Sequence, residues 1–181
     1  AESKIGIIPL FDLDQHIARY PDFPKQGITF YDISPMLENH DALKSCVDVL
    51  ADLARPYQPD LIVGLDARGF LFVTPVALAL NAGAIMIRKK GKLPGTVSQQ
   101  SYALEYGEAT LALQNDRDIA GKTIVIVDDL LATGGTIAAA NQLISDHGGI
   151  VAANLVLIEL TGCNGRAHLT GDVHAVQQYD F

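Results

Sequence analysis

Apolar residues in this chain fall into short unbroken runs separated by amphipathic stretches, and that alternation sets the fold class. Leu43, Cys46, Val47, Leu50 and Leu53 recur at the spacing of one helix face. Pro56 and Pro59 then interrupt the chain. Leu61-Ile62-Val63 reads as a short buried strand, and 69–80 as the helix after it despite Pro75. Ala84-Ile85-Met86-Ile87 predicts a second strand and Thr123 to Val127 a third, followed by a helix that Gly148-Gly149 should end. Val151 to Leu160 supplies a fourth strand and Val173 to Val176 a fifth; Asp12 to Arg19 reads as an N-terminal helix. Uniformly apolar strands alternating with helices imply an α/β protein, with a twisted, mainly parallel sheet covered by helices on both faces. The 181 residues suit a single domain spanning 1–181, without repeats or a linker.

The junction of the third strand and its helix carries the densest chemistry. Ile124-Val125-Ile126-Val127 runs into Asp128-Asp129-Leu130-Leu131, then Ala132-Thr133-Gly134-Gly135-Thr136, and Ile137-Ala138-Ala139-Ala140 opens the helix. Glycines that tolerate positive φ let the backbone close on an anion, and a helix N-terminus supplies free N–H groups and a positive dipole end. Thr133 and Thr136 add hydroxyl donors. Asp128 and Asp129 accept only, which suits a vicinal diol or a Mg2+ ion beside the phosphate. Together these groups describe a site for a ribose 5-phosphate. A helix corner that needs only a cap requires one Ser, Thr or Asp rather than this whole set. The run matches neither the Walker A pattern nor GxGxxG.

Ligands bind such sheets beyond the carboxyl ends of the strands. That rule should gather Asp66 and Arg68, Arg88 to Lys92, and Asp128 to Thr136 into one crevice. Arg88-Lys89-Lys90-Gly91-Lys92 is the densest positive run in the chain and, with Arg68, would suit a pyrophosphate. Asp66 could anchor Arg68 or hold a water on Mg2+. From Leu93 to Glu108 the polar and turn-forming residues suggest a mobile lid loop. Within it Glu105 lies between Leu104 and Tyr106, where partial desolvation would raise its pKa and fit it for proton transfer.

Bulk properties narrow the partners. A formal charge of −8 argues against a nonspecific nucleic-acid or anionic-membrane partner. No apolar run approaches the roughly 20 residues of a transmembrane helix, and the first residues lack a signal-peptide core. Cys46 and Cys163 form no metal or disulfide pattern, and the five scattered histidines, His16, His40, His147, His168 and His174, have no ligand spacing. A reducing cytoplasm is the expected location.

Four blocks add a resemblance. They are 23–35 (Phe23-Pro24 through Ser34-Pro35), 64–70 (Gly64-Leu65-Asp66-Ala67-Arg68-Gly69-Phe70), 87–95 and 102–107, while the Thr-Gly-Gly-Thr loop by itself resembles only the wider type I phosphoribosyltransferase superfamily. The chain from about Phe23 to Glu159 resembles the adenine phosphoribosyltransferases, a branch of the type I phosphoribosyltransferases. The resemblance implies the type I phosphoribosyltransferase fold, with an N-terminal hood over about 1–35 and a flexible lid over about 93–108. It implies conversion of adenine and 5-phosphoribosyl 1-diphosphate (PRPP) to AMP and diphosphate in purine salvage, with Mg2+ as cofactor and a homodimer as the assembly.

Carried onto this sequence, the resemblance makes Glu105 the catalytic lid residue and Asp128 and Asp129 the ribose ligands. Ala132, Thr133, Gly134, Gly135 and Thr136 become the 5-phosphate loop, and Arg68, Arg88 and Lys92 the pyrophosphate cations. Thr29, Phe30, Tyr31 and Leu130 would surround adenine, and Mg2+ would bind through the pyrophosphate, with Asp66 reaching it at most through water. Gln26 and Tyr31 stand where the family commonly has Pro and Arg, which removes a charge from the site rim. The alternatives are a transferase for another base and a non-catalytic PRPP sensor; the acidic charge and Glu105 weigh against the second.

Overall fold

The structure, a computed structural model, describes residues 11–104 and 107–180. The chain forms two compact units, Ala1–Cys46 and Val47–Phe181.

In the first unit a single 3-10 turn covers Leu13–His16, capped by the Asp12 carboxylate, which accepts the Asp14 N–H at 3.2 Å. β1 (Ala18–Tyr20) follows at once and pairs antiparallel with β2 (Phe30–Asp32), Arg19 opposite Tyr31. The N-terminal helix expected over 12–19 is therefore only one turn long. Cross-strand partners outcompete local propensity here: the Arg19 guanidinium lies 5.9 Å from the Tyr31 ring centre and reaches back to Asp14 at 2.5 Å. α1 (Ser34–Glu38) starts with Pro35, whose missing N–H costs nothing in a first turn. α2 (His40–Ala54) carries the chain onward and buries Cys46, Leu50 and Ala54 on one stripe. Burial pushes the Cys46 thiol up to about 12, so it acts as a small core residue.

The second unit is built on a seven-stranded sheet. Five parallel strands form its body: β3 (Leu61–Leu65), β4 (Gly83–Lys89), β7 (Thr123–Leu131), β8 (Ile150–Leu160) and β9 (Asp172–Tyr179). Between β4 and β7 in sequence lie β5 (Val97–Ala103) and β6 (Glu108–Gln114), an antiparallel pair that extends the sheet beyond β4. The strand order is β5-β6-β4-β3-β7-β8-β9. α3 (Phe70–Ala79) links β3 to β4, and α4 (Gly135–Asp146) links β7 to β8.

Much of the expected lid loop is thus a hairpin. Its residues are too polar to read as a buried strand, yet an edge position requires only that the ladder satisfy the backbone. Ser98, Gln100 and Tyr102 are half-buried, while Gln99, Ser101 and Ala103 face water. Ser101 and Thr110, opposite each other, join hydroxyls at 2.8 Å.

Val63, Leu65, Ile124 and Ile126 of the central strands pack with Ile137, Ala140, Leu143 and Ile144 of α4. Fully burying each large side chain contributes about 1.5–3 kcal/mol, so this layer holds the start of α4 rigidly against the sheet. The chain turns one way from β3 through α3 and the other way from β7 through α4. β3 and β7 are neighbours, so the strand order reverses between them and opens a crevice at their carboxyl ends. No helix among the described residues is long and apolar enough to cross a membrane.

Candidate functional site

β7 is buried along nearly its whole length and runs past the acidic pair to Leu131, further than the apolar run alone predicts. β8 stays in register beside it, Asp128 opposite Val156 and Leu131 opposite Glu159, which keeps the last residues extended. Asp128 and Asp129 are consequently only 8% exposed each. Burial, and next the neighbouring charge of Asp129, raises the Asp128 carboxyl well above the usual carboxylate range. The Asp128 carboxylate accepts the Asp129 N–H at 3.0 Å. Asp129 is held at 2.7 Å by the Arg68 guanidinium.

After Leu131 the chain turns through Ala132-Thr133-Gly134 into α4. Gly134 adopts φ +87°, and a Cβ there would stand 2.7 Å from the Gly165 carbonyl oxygen. No N-cap side-chain hydrogen bond closes the start of α4, where the first-turn N–H groups have no partner within the helix. Leu130 to Ile137 line a cavity of about 120 Å3 at this corner, room for one phosphate group. A second cavity of about 450 Å3 lies beside it, between α4 and the hairpin, lined by Gln100, Tyr102, Thr133, Gly135 and His168 among others.

The loops after β3 and β4 complete the crevice. Because Leu65 pairs with Ile87, the next residues meet: Asp66 accepts from Arg88 Nε at 3.2 Å and from the Lys89 N–H at 3.4 Å. Asp66 therefore anchors Arg88, while the residue it was expected to hold, Arg68, goes to Asp129. The Asp66–Ala67 peptide is cis. Arg88 also lies over Phe70, 5.7 Å from the ring centre. Lys92 is exposed in the turn after β4. Asp66, Arg68, Arg88, Asp128, Asp129 and the 132–136 loop thus occupy one sheet edge, and ion pairs link the β3 loop to both neighbours. Among the described residues no group of three or more His, Cys, Asp or Glu could hold a metal ion.

Thr29, Phe30 and Tyr31 belong to the first unit. Phe30 meets Phe23 edge to face at 5.3 Å, and Tyr20, Phe23, Phe30 and Asp32 help line a cavity of about 570 Å3 there. Glu105 lies outside the described residues. Among the described residues on either side, the Leu104 N–H donates to the Gly107 carbonyl at 3.0 Å.

Sequence reasoning missed Tyr20, Phe23, Tyr102 and the turn at Gly165-Arg166. Phe23 stood in a motif already noticed, and a Gly-Arg pair after the fourth strand was the available signal for the last. Tyr102 likewise stood in the 102–107 block, but nothing in the sequence marked its neighbour across the fold, Gly135, which is set only by how the hairpin packs on α4.

The fold and this corner define a phosphoribosyl-binding α/β class, and the model of the phosphoribosyl transferase domain matches residues 33–166. An adenine phosphoribosyltransferase of Rhodospirillum centenum is 46% identical over 93% of this chain and 99% of its own length. The crystal structure of that enzyme from Thermoanaerobacter pseudethanolicus superposes with a TM-score of 0.89 at 42% identity, covering 92% of this chain and 98% of the other. The Saccharomyces cerevisiae enzyme, complexed with an imino-altritol bisphosphate and adenine, gives 0.88 at 35% identity over 91% and 96% of the two chains. The chain belongs to the adenine phosphoribosyltransferase family.

Proposed function

We propose that this protein transfers the phosphoribosyl group of PRPP to adenine, giving AMP and diphosphate. The observation that carries this is the phosphate-sized cavity at the uncapped start of α4, directly beside a buried acidic pair at the β3/β7 crevice. Ala132 to Thr136 hold the 5-phosphate, and Asp128 and Asp129 accept the ribose hydroxyls. Arg68, Arg88 and Lys92 neutralise the leaving diphosphate; Arg68 exchanges part of its bond to Asp129 for it. Leu130 in the second unit and the hood residues Thr29, Phe30 and Tyr31 in the first are the residues assigned to adenine.

Adenine N9 attacks C1 of the ribose, the C1–O bond to diphosphate breaks with its electron pair, and the N9 proton passes to Glu105. No protein nucleophile is required; the chain's contribution is orientation and charge. Mg2+, when bound, supplies positive charge to the diphosphate. The donor set fits an ion that arrives with that diphosphate, since Asp66 already holds Arg88. A cytoplasmic location suits two cysteines that are both free thiols.

Purified protein with PRPP, Mg2+ and adenine should release diphosphate, and the same mixture with hypoxanthine, guanine or orotate should not. Release with another base would keep the fold and PRPP site but overturn the adenine assignment. PRPP binding without release from any base would replace the enzyme by a sensor.

We further propose a homodimer. Leu71 and Leu78, seven residues apart on one side of α3, are 48% and 74% exposed, and Met86 of β4 is 51% exposed. Leu78→Glu should shift the sedimentation coefficient from dimer to monomer at micromolar concentration; a monomeric starting protein would end that reading.

A further inference from the structure

We infer that Arg166, clamped by the buried carboxylate of Glu159, is a positioning residue that sets the shape of the phosphate loop through Gly165. The inference rests on the reading of 132–136 as the 5-phosphate site.

Glu159 lies at the end of β8, opposite Leu131 in register and only 3% exposed. Its two oxygens accept from Arg166 Nε at 2.5 Å and Nη2 at 2.6 Å, and one of them also accepts from Gln178 Nε2 at 2.7 Å. Arg166 Nη1 donates to the Val173 carbonyl at 2.6 Å. The planar guanidinium is therefore fixed in orientation by two strands, because a fork bound bidentately cannot swivel as an ammonium can. These bonds hold the Glu159 carboxyl below its ordinary range despite its burial.

The residue just before Arg166 touches the phosphate loop with bare backbone. A Cβ on Gly165 would lie 2.2 Å from the Ala132 carbonyl oxygen and 3.1 Å from the Gly134 nitrogen. With the reciprocal approach of Gly134 to the Gly165 carbonyl, the two turns meet backbone to backbone, and the buried Leu131 side chain packs beside them, 2.8 Å from where a Cβ on Gly165 would stand. Backbone atoms make the tightest of these contacts and Leu131 is buried, so a shift of Arg166 passes into Ala132 and Gly134.

The far end of the same segment is tied to α4. The Thr170 N–H donates to Asn141 Oδ1 at 2.8 Å, its carbonyl accepts from Asn154 Nδ2 at 2.7 Å, and Asn141 Nδ2 donates to Asn154 Oδ1 at 2.8 Å. The turn is thus referenced to β8 and β9, of which β8 pairs with the strand that precedes the phosphate loop, and to the helix that follows that loop. A merely structural ion pair would serve as well anywhere along β8; this one sits where β7 ends and the cradle begins.

Titration calorimetry of the full chain with PRPP and Mg2+, together with steady-state kinetics, tests the assignment. Arg166→Met should weaken PRPP binding about tenfold or more while the KM for adenine stays within about twofold, since a small misplacement of positioning groups is enough for such a loss. Arg166→Lys, which keeps charge and stem but loses the fork, should fall between the two and decides the matter if the Met variant does not fold. A variant with a lowered Tm but PRPP affinity equal to wild type would overturn the inference, as would equal losses for PRPP and adenine. Failure of the wild-type chain to bind PRPP would instead remove the 5-phosphate reading itself, and with it this proposal, before any variant is made.

Discussion

Glu105→Leu is expected to lower turnover by roughly 10²- to 10⁴-fold, the range a positioned acid or base contributes, while the affinity for PRPP survives. The residue itself lies outside the described part of the chain, but its attachment points do not. β5 delivers Tyr102 and Ala103 to the phosphate loop: a Cβ on Gly135 would be 3.2 Å from the Tyr102 ring and 3.6 Å from the Ala103 carbonyl oxygen. Glu105 is two residues further along the chain and consecutive Cα atoms are about 3.8 Å apart, so a role at this loop asks no more of the chain than that spacing allows. PRPP contacts proposed for the 132–136 loop, Asp128, Asp129 and Arg68 do not involve this side chain, which is why binding and turnover should separate. Glu105→Gln distinguishes proton transfer from shape, because it keeps size and hydrogen bonding but cannot take the N9 proton. Single-turnover measurements with saturating PRPP would decide, and wild-type rates in both variants would remove Glu105 from the chemistry.

Asp128→Asn should stabilise the protein and damage the site at once. A carboxyl whose folded pKa is raised binds its proton more tightly folded than unfolded. Stability therefore falls as pH rises from the ordinary carboxylate range through the raised value, and at neutral pH an ionised Asp128 beside Asp129 is a net cost. Asparagine keeps the oxygen that accepts the Asp129 N–H but carries no charge. The Tm should rise by about 2–4 °C for each kcal/mol relieved in a chain of this size. PRPP affinity should fall by about 10- to 100-fold, the loss of one hydrogen bond to a charged acceptor. Thermal unfolding between pH 4 and 8 checks the sign: the wild-type chain should lose ground to the variant as pH rises. A variant less stable than wild type at neutral pH would mean that Arg68 already offsets the repulsion. Such trade-offs are expected where a site holds charge that the fold alone would not choose.

The parts of this protein legible in its sequence are those governed by neighbours along the chain. An apolar run, two acids, a glycine pair and a helix start are consecutive, and the cup they make follows from positive φ and orphan N–H groups whatever surrounds them. The five parallel strands and the helices between them were equally readable, because burial on both faces leaves a continuous apolar signature. The resemblance of four blocks added adenine and the role of Glu105. Other features depend on partners distant in sequence. The polar segment 97–103 becomes a strand only because β6 and β4 offer an edge to pair with, and the helix expected over 12–19 yields to the pairing of Arg19 with Tyr31. Which acid meets which cation was also undecided: the register of β3 on β4 gives Asp66 to Arg88, and Arg68 is left to Asp129. The approach of Gly165 to Gly134, across thirty-one residues of chain, is visible only once β8 returns beside β7. Local physics thus wrote the proposed phosphate cup into the sequence, while strand register and loop contact, which are properties of the assembled sheet, decided how its charges pair and what holds it in shape.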